Sequence, residues 1–249
     1  MAETESHGHE IVCIIQARVR SARLPGKVLK EVAGKTVLEH LISRVQSARR
    51  VDRIILATGA DVANRPLEKI ADASGVSFFS GSETDVLDRY YRAVQRFRLE
   101  GARGVVRITG DCPLIDPAVV DAVIRHYLDH DLDYVSNTVP PAYPDGLDTE
   151  VFSFRSLETA WREAAAPYDR EHVTPYITGC GRFALGNVAC EQDLSHERWT
   201  LDYPEDWELI RRIFERFSGP FGMTDILKYR MEQPALFLAN QRLRAVPFT

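Results

Sequence analysis

The feature that most limits the possible folds of this chain is an alternation of short apolar runs with helical patterns between residues 11 and 110. The apolar runs lie at residues 11–15, 53–59, 76–80 and 104–109. Segments with apolar residues at helical spacing begin near Thr36, Ala63 and Asp85. Strands that alternate with helices in this way favour a parallel sheet with helices on both faces. We therefore predict a Rossmann-like α/β fold.

The pattern changes after the fourth predicted strand. Further strands are predicted at 133–137, 147–154 and 184–189, and a helix at 156–165. We interpret residues 138–197, approximately, as a smaller α+β lobe inserted into one domain of residues 10–249, after a disordered tail of residues 1–9. Trp199–Asp202 is expected to return to the sheet, and helices from Glu205 and Thr224 to close the chain.

Composition narrows the class of protein. The net charge of −5 argues against a nucleic-acid binder, which usually shows a basic excess. The four cysteines include no CxxC pair and suit reduced thiols. No apolar run approaches the roughly 18 residues that span a bilayer, and the acidic first ten residues do not read as a signal peptide. We expect a cytoplasmic protein without membrane or nucleic-acid partners.

The first predicted strand runs directly into a cationic loop that ends at the turn Pro25-Gly26. The loop carries Arg18, Arg20, Ser21, Arg23 and Lys27. One guanidinium group can donate two parallel hydrogen bonds to the oxygens of a phosphate. Folds of this kind bind their ligands at the carboxyl edge of the parallel sheet. The loop therefore predicts a polyphosphate site.

Three acidic stretches follow other predicted strands. Asp111 comes after the strand that ends at Thr109, and by itself it fits a turn-stabilising role as well as a ligand role. Asp116 and Pro117 have the residue types of a helix N-cap and first helical position. Asp202 precedes the helix start at Pro204, and alone it favours a helix-entry carboxylate.

Asp148 and Glu150 are two apart on a predicted strand and should share a face. They are open to three interpretations: a solvated edge, hydrogen bonds to a polyhydroxyl ligand, or pairs with arginines such as Arg170.

Several motifs occurring together resemble one family. They are IIQARVRSARLPGK at 14–27, FSGSETDVLDRY at 79–90, RITGDCPLID at 107–116, REHVTPY at 170–176 and LDYPED at 201–206. The combination is similar to cytidylyltransferases typified by CMP-3-deoxy-manno-octulosonate synthetase, and most similar to the spore-coat polysaccharide branch. The resemblance extends over about residues 11–215.

The resemblance implies a Mg²⁺-dependent transfer of CMP from CTP to an acidic or related sugar, with release of pyrophosphate, by a homodimer. It implies nucleotide contacts from Arg18, Ser21, Arg23, Lys27, Ser80, Asp85, Arg107 and Thr109. It implies catalytic roles for Arg18, Lys27 and Asp111, and metal ligation by Asp111 and Asp202. It implies acceptor contacts from Tyr143, Asp145, Gly146, Asp148, Glu150 and His172.

One departure and several alternatives stay open. Arg20 stands where the family has a small residue, so it either strains a positive φ or adds a phosphate contact. His172 is either a general base or a hydrogen-bonding residue. The acceptor could instead be a phosphonate or a sugar phosphate, or the chain could bind a nucleotide without turnover. An NAD enzyme is disfavoured because no GxGxxG follows the first strand.

Overall fold

A computed structural model describes residues 10–241 of the chain. The strands of this part are β1 (Ile11–Gln16), β2 (Glu31–Val32), β3 (Lys35–Thr36), β4 (Arg53–Gly59), β5 (Ser77–Gly81), β6 (Gly104–Thr109), β7 (Tyr134–Ser136), β8 (Glu150–Phe152) and β9 (Leu185–Asn187). The α-helices are α1 (Val37–Gln46), α2 (Arg65–Ala73), α3 (Val86–Arg96), α4 (Pro117–Asp129), α5 (Phe154–Glu163), α6 (Pro167–His172), α7 (Pro175–Gly179), α8 (Pro204–Arg216), α9 (Met223–Glu232) and α10 (Pro234–Gln241).

Seven strands form one sheet in the order β5-β4-β1-β6-β8-β7-β9, and β2 and β3 form a separate hairpin. Strand β8 is antiparallel to both of its neighbours, whereas the other pairs are parallel. The predicted Rossmann-like, mostly parallel sheet is confirmed. After β1 the chain moves outward to β4 and β5 and then returns to β6 on the other side of β1. Ligands of such sheets bind at the carboxyl ends of the strands beside this reversal.

Apolar layers cover both faces of the sheet because the side chains of β1 alternate between them. Cys13 and Ile15 pack with α1, α2 and α4, while Val12 and Ile14 pack with α3. Helices α1 and α4 begin at residues whose side chains cap helix N-termini. Thr36 and Glu39 form a capping box at α1, and the Asp116 carboxylate caps α4 ahead of Pro117.

Residues 138–197 contribute β8 and β9 to the same sheet, and α5, α6 and α7 pack on its α3 side. That this segment is an insertion stays a prediction. The predicted tail at residues 1–9 lies outside the described residues. No helix of residues 10–241 is long and apolar enough to cross a membrane.

The prediction that Trp199–Asp202 forms a strand of the sheet is wrong. This segment is held beside the sheet by single backbone bonds, from Trp199 N to Asp145 O at 2.7 Å and from Leu201 N to Asp111 O at 2.8 Å. Its apolar side chains pack into a third cluster under α8, α9 and α10. The second of these bonds brings Asp202 close to Asp111, two residues after the end of β6.

Candidate active site

A cleft of about 430 Å³ opens at the carboxyl ends of β1 and β6. Nine of the residues predicted for the site line it: Arg18, Ser21, Arg23, Lys27, Arg107, Thr109, Asp111, His172 and Asp202. They come from four separate stretches of the chain. The fold therefore brings the cationic loop, both candidate metal ligands and one acceptor residue into one place.

Lys27 lies at the centre of the charges in this cleft. Gly26 has φ 69°, a conformation that glycine adopts without strain, and Lys27 follows it in a single 3₁₀ turn. The ammonium lies 3.0 Å from Asp111 Oδ2 and 2.9 Å from Asp202 Oδ1. Burial alone would lower the pKa of Lys27, but the two carboxylates more than offset it and the pKa is raised. Lys27 is a firmly charged cation between two carboxylates.

Asp111 is positioned by the end of β6. Gly110 N donates to Gln16 O at 2.8 Å, and a side chain on Gly110 would meet Ala17 Cβ at 2.9 Å, so the two strand ends approach closely. The Thr109 hydroxyl donates to Asp111 Oδ1 at 2.5 Å. Burial alone would raise the pKa of Asp111, but Lys27 and Thr109 together lower it. Asp111 is thus held as a carboxylate.

Asp202 is positioned by arginines. Arg23 lies 2.8 Å from Asp202 Oδ1, and the buried Arg198 lies 3.5 Å from Oδ2. Arg198 is itself fixed by Asp206 at 2.9 and 2.8 Å and by Asp145 at 3.1 Å. The sequence analysis did not single out Arg198, since its partners lie 4, 8 and 53 residues away and no motif marks it.

Glu150 is not free to face an acceptor. Its Oε1 accepts from Tyr134 at 2.6 Å and from Thr174 at 2.7 Å, and its Oε2 pairs with Arg107. Burial alone would lower the pKa of Arg107, but Glu150 raises it. The expected acceptor contact of Glu150 is replaced by a role in holding Arg107 at the cleft. Arg170, the suggested partner of Glu150, pairs instead with Asp85 at 2.6 Å.

His172 lines the cleft next to a strained backbone. Val173 has φ 73° and ψ −55°, and Thr174 N donates to His172 O at 2.9 Å. These are the features of a γ-turn of the strained hand, which is rare for a β-branched residue. Val173 is fully buried between α3 and α7. Packing therefore fixes a turn that carries His172 into the cleft and directs Thr174 to Glu150.

Of the two alternatives for Arg20, strain at a positive φ is wrong, and a phosphate contact stays a prediction. Arg20 is not among the described residues with positive φ, so no strain arises. It does not line the cleft either, because its guanidinium pairs with Asp61 at 3.0 Å. Arg18, by contrast, lines the cleft and forms no hydrogen bond or ion pair with another described residue.

Six other predicted residues lie outside the cleft lining: Ser80, Asp85, Tyr143, Asp145, Gly146 and Asp148. Asp85 caps α3, and Gly146, at φ 108°, allows close approach to the backbone of Trp199. Asp148 is half-buried, and burial together with Asp145 and Glu150 raises its pKa to about 7. Arg89 also lines the cleft, at the end of the segment 85–89 that the resemblance implies closes over the nucleotide. The chemistry-bearing lining residues without an assignment are Gln16, Glu83 and Glu171.

Comparisons with known proteins agree with this geometry. The family model described as "Cytidylyltransferase" matches residues 12–234. The chain belongs to this cytidylyltransferase family. The motif resemblance is thereby confirmed, and with it the family-level activity, transfer of a cytidylyl group.

Two relatives at more than 30% identity extend over most of the chain. It is 37% identical to an uncharacterised protein of Methanocaldococcus jannaschii, over 84% of this chain and 85% of that protein. It is 34% identical to the spore coat polysaccharide biosynthesis protein SpsF of Bacillus subtilis, over 84% and 88%.

Two solved structures superpose on most of this chain. A cytidylyltransferase from Leptospira borgpetersenii superposes with a TM-score of 0.85 at 27% identity, over 92% of this chain and 96% of that one. CMP-2-keto-3-deoxy-manno-octonic acid synthetase, solved in complex with CTP, superposes with a TM-score of 0.63 at 18% identity, over 83% and 99%. The latter likeness shows the shared fold.

Proposed function

We propose that this cytidylyltransferase transfers CMP from CTP to a hydroxyl of a sugar acceptor and releases pyrophosphate. The observation that carries the proposal is the position of Lys27 between Asp111 and Asp202, beside the cationic loop at the reversal of the sheet. Such an arrangement can hold a triphosphate by its charge and a cation by its carboxylates. The likeness to SpsF and to the octulosonate enzymes supports a sugar acceptor of surface polysaccharide synthesis, and the octulosonate enzymes favour an acidic sugar.

The reaction needs positioning and charge neutralisation more than covalent chemistry. The acceptor oxygen forms a bond to the α-phosphorus, the bond from that phosphorus to the pyrophosphate oxygen breaks, and the acceptor hydroxyl loses its proton. Arg18, Arg23 and Lys27 would hold the β- and γ-phosphates. Arg107 would contact the nucleotide, and His172, which also lines the cleft, would orient the acceptor and either take its proton or hydrogen-bond it.

The residues present fit Mg²⁺. This ion takes one or two carboxylates and completes its shell with water and substrate phosphates. Asp111 and Asp202 both contact the ammonium of Lys27, so they already hold one cation between them. Among residues 10–241 no group of three or more potential ligand side chains occurs, which suits a site that the substrate completes. When bound, Mg²⁺ would neutralise charge that develops on the leaving pyrophosphate.

Pyrophosphate release tests this proposal. The purified protein is incubated with Mg²⁺ and CTP, UTP, GTP or ATP, each with acidic sugars, neutral sugar phosphates or phosphonates. We expect release with CTP and a sugar. Release that occurs with phosphonates but with no sugar would support the second acceptor class. If none of the four nucleotides releases pyrophosphate with any acceptor, the proposed activity is overturned.

The metal assignment has its own test. Asp111→Asn keeps the shape of the side chain, so the fold should persist while turnover falls by about 10²- to 10³-fold. Asp129→Asn, at the exposed end of α4, serves as the matched control. Unchanged turnover of Asp111→Asn would contradict the assignment. We further propose a homodimer in the cytoplasm, as the family resemblance implies.

A further inference from the structure

Three residues that line the cleft have a buried polar side-chain atom without a partner among the described residues: Gln16 Oε1, Arg89 Nε and Arg107 Nε. Arg107 is held by Glu150 through another of its nitrogens, which leaves Gln16 and Arg89. Buried polar atoms in folded proteins are nearly always hydrogen-bonded, so an unpartnered atom at a cleft points to a ligand. The proposed phosphate, metal and acceptor contacts use neither residue.

Arg89 is a buried cation that the carboxylates of Glu83 and Asp85 attract without forming an ion pair. It is 3% exposed, and it forms no ion pair with a described carboxylate. Its hydrogen bond is from one terminal nitrogen to Ser82 O at 2.9 Å. Burial lowers the pKa of Arg89. A guanidinium in this state has several donors left for a neutral or anionic acceptor.

Gln16 lies on the same side of the cleft as Arg89, next to α3. Val12 and Ile14 pack into the apolar layer beneath α3, and Gln16 follows them on the same face of β1. Val86, 7% exposed at the start of α3, also lines the cleft. An amide oxygen, a guanidinium and an apolar surface thus share one side of the cleft, which suits a planar polar heterocycle.

The edge of cytosine matches these groups. It presents an amino donor at N4 and acceptors at N3 and O2, whereas uracil presents an acceptor at position 4 and a donor at N3. We propose that Gln16 and Arg89 select the nucleotide by its base: Gln16 Oε1 accepts from the cytosine amino group, and the Arg89 guanidinium donates to N3 and O2. This inference rests on the proposed function, because it places the base of CTP in the same cleft.

Uracil would be rejected by the same two residues. Its O4 would face Gln16 Oε1, and its N3–H would face the guanidinium, so two buried polar pairs would be mismatched. A site that hydrogen-bonds its substrate discriminates strongly against an analogue that leaves its polar groups unpaired. The pair therefore accounts for a preference for CTP over UTP.

The test is direct binding, measured by calorimetry, of three triphosphates: CTP, UTP and the pyrimidin-2-one ribonucleotide that lacks the amino group. The wild-type protein should bind CTP most tightly. Gln16→Leu should weaken CTP binding by roughly tenfold, the worth of one buried hydrogen bond, and leave binding of the pyrimidin-2-one analogue within about twofold. Gln95→Leu on α3, outside the cleft lining, is the matched control.

Equal losses for CTP and the analogue in Gln16→Leu would overturn the assignment, because the amide would then act without contacting the amino group. Arg89→Met should weaken CTP more than UTP, and circular dichroism of this buried variant checks its fold. If it does not fold, the Gln16→Leu comparison decides the question alone. Failure of the wild-type protein to bind CTP would instead count against the proposed function, so the two failures are distinguishable.

Discussion

Lys27 occupies the place where, under the proposed metal assignment, Asp111 and Asp202 would hold a divalent cation. Its ammonium contacts both Asp111 and Asp202 at about hydrogen-bond distance, 3.0 and 2.9 Å. A divalent ion and the ammonium cannot share this position, so the lysine competes with the metal until triphosphate oxygens attract it. In the absence of nucleotide, metal binding should therefore be weak.

Lys27→Met should reveal this competition. With the ammonium removed, Asp111 and Asp202 repel each other at short range, and Mn²⁺ should bind the nucleotide-free variant roughly tenfold or more tightly than the wild type. The electron paramagnetic resonance signal of free Mn²⁺ measures this binding without any turnover. Lys30→Met, whose ammonium lies over Trp207, is the control. Equal Mn²⁺ affinity in Lys27→Met and wild type would contradict the competition.

Asp148 gives a prediction about pH. Its pKa is raised by burial and by Asp145 and Glu150 to about 7, against about 3.9 in an unfolded chain. The folded state therefore binds this proton more tightly, and the resulting stability is present below pH 4 and is lost as pH rises toward 7. Asp148→Asn does not titrate. The free energy of unfolding of Asp148→Asn, relative to that of the wild type, should therefore rise by about 2–3 kcal/mol from pH 5 to pH 8.

Urea unfolding at several pH values measures this difference. Asp129→Asn, an exposed carboxylate at the end of α4, provides the control and should show no comparable trend. A constant difference between Asp148→Asn and wild type over this pH range would show that Asp148 is ionised throughout.

At the scale of elements, α10 reaches the active site through one side chain. Asn240 is buried, and its amide donates to Arg198 O at 2.8 Å and to Asp206 Oδ1 at 3.3 Å. Arg198 in turn contacts Asp202 and Asp145. The last described helix thus supports the loop that carries a candidate metal ligand.

Asn240→Ala should destabilise this loop. The loss of two buried hydrogen bonds leaves Arg198 O and the Asp206 carboxylate under-satisfied, at a cost of about 1–3 kcal/mol in free energy of unfolding. Leu238→Ala, on the same helix but 54% exposed, should cost less than about 0.5 kcal/mol. Chemical unfolding compares the two variants, and equal effects would remove Asn240 from the support of the site.

Elements with local signals could be predicted from the sequence. The capping residues Thr36 and Asp116 mark the starts of α1 and α4, and the apolar runs mark β1, β4, β5 and β6. Strand β8 is only three residues long and pairs antiparallel to β6 and β7, which no local pattern indicates. The same limit applies to Trp199–Asp202, whose apolar residues pack against α8 rather than in the sheet.

The residues of the candidate site likewise include some that local motifs predict and some that they do not. Motifs predicted Arg23, Lys27 and Asp111 at one place, because the ends of the neighbouring parallel strands β1 and β6 meet at one edge. The LDYPED motif predicted Asp202 by resemblance alone. The role of Glu150 instead depends on its hydrogen-bond partners. Its carboxylate is bonded to Tyr134, Thr174 and Arg107, which lie 16 to 43 positions away in the sequence. Sequence spacing carries no information about such pairings.

At the scale of the whole molecule, an ion pair joins the two halves of the cleft. Arg170 on α6 pairs with Asp85 at the start of α3, with contacts of 3.1, 3.0 and 2.6 Å, and also donates to Trp161 O at 2.7 Å. The Asp85 carboxylate simultaneously caps α3 through Asp88 N at 2.9 Å. The segment that supplies His172 is thereby tied to the helix that supplies Arg89.

Arg170→Met should loosen this connection. It leaves the partly buried Asp85 without its counter-charge, so we expect a loss of about 1–3 kcal/mol in free energy of unfolding. Arg182→Met breaks a pair with Glu163 in which both side chains are about half exposed, and it should lower the free energy of unfolding much less than Arg170→Met does. The second variant therefore controls for the removal of an arginine from the same segment.

The binding consequences of Arg170→Met separate a structural tie from a general weakening of the fold. Glu171 and His172 follow Arg170 directly on α6. If the loop after β1 holds the phosphates of CTP as proposed, a loosened α6 should raise the KM of the sugar acceptor more than that of CTP. Steady-state kinetics at saturating concentrations of each substrate in turn measure both values. Equal increases in the two KM values, or equal losses of stability in Arg170→Met and Arg182→Met, would show that the pair does not hold the acceptor side of the cleft in place.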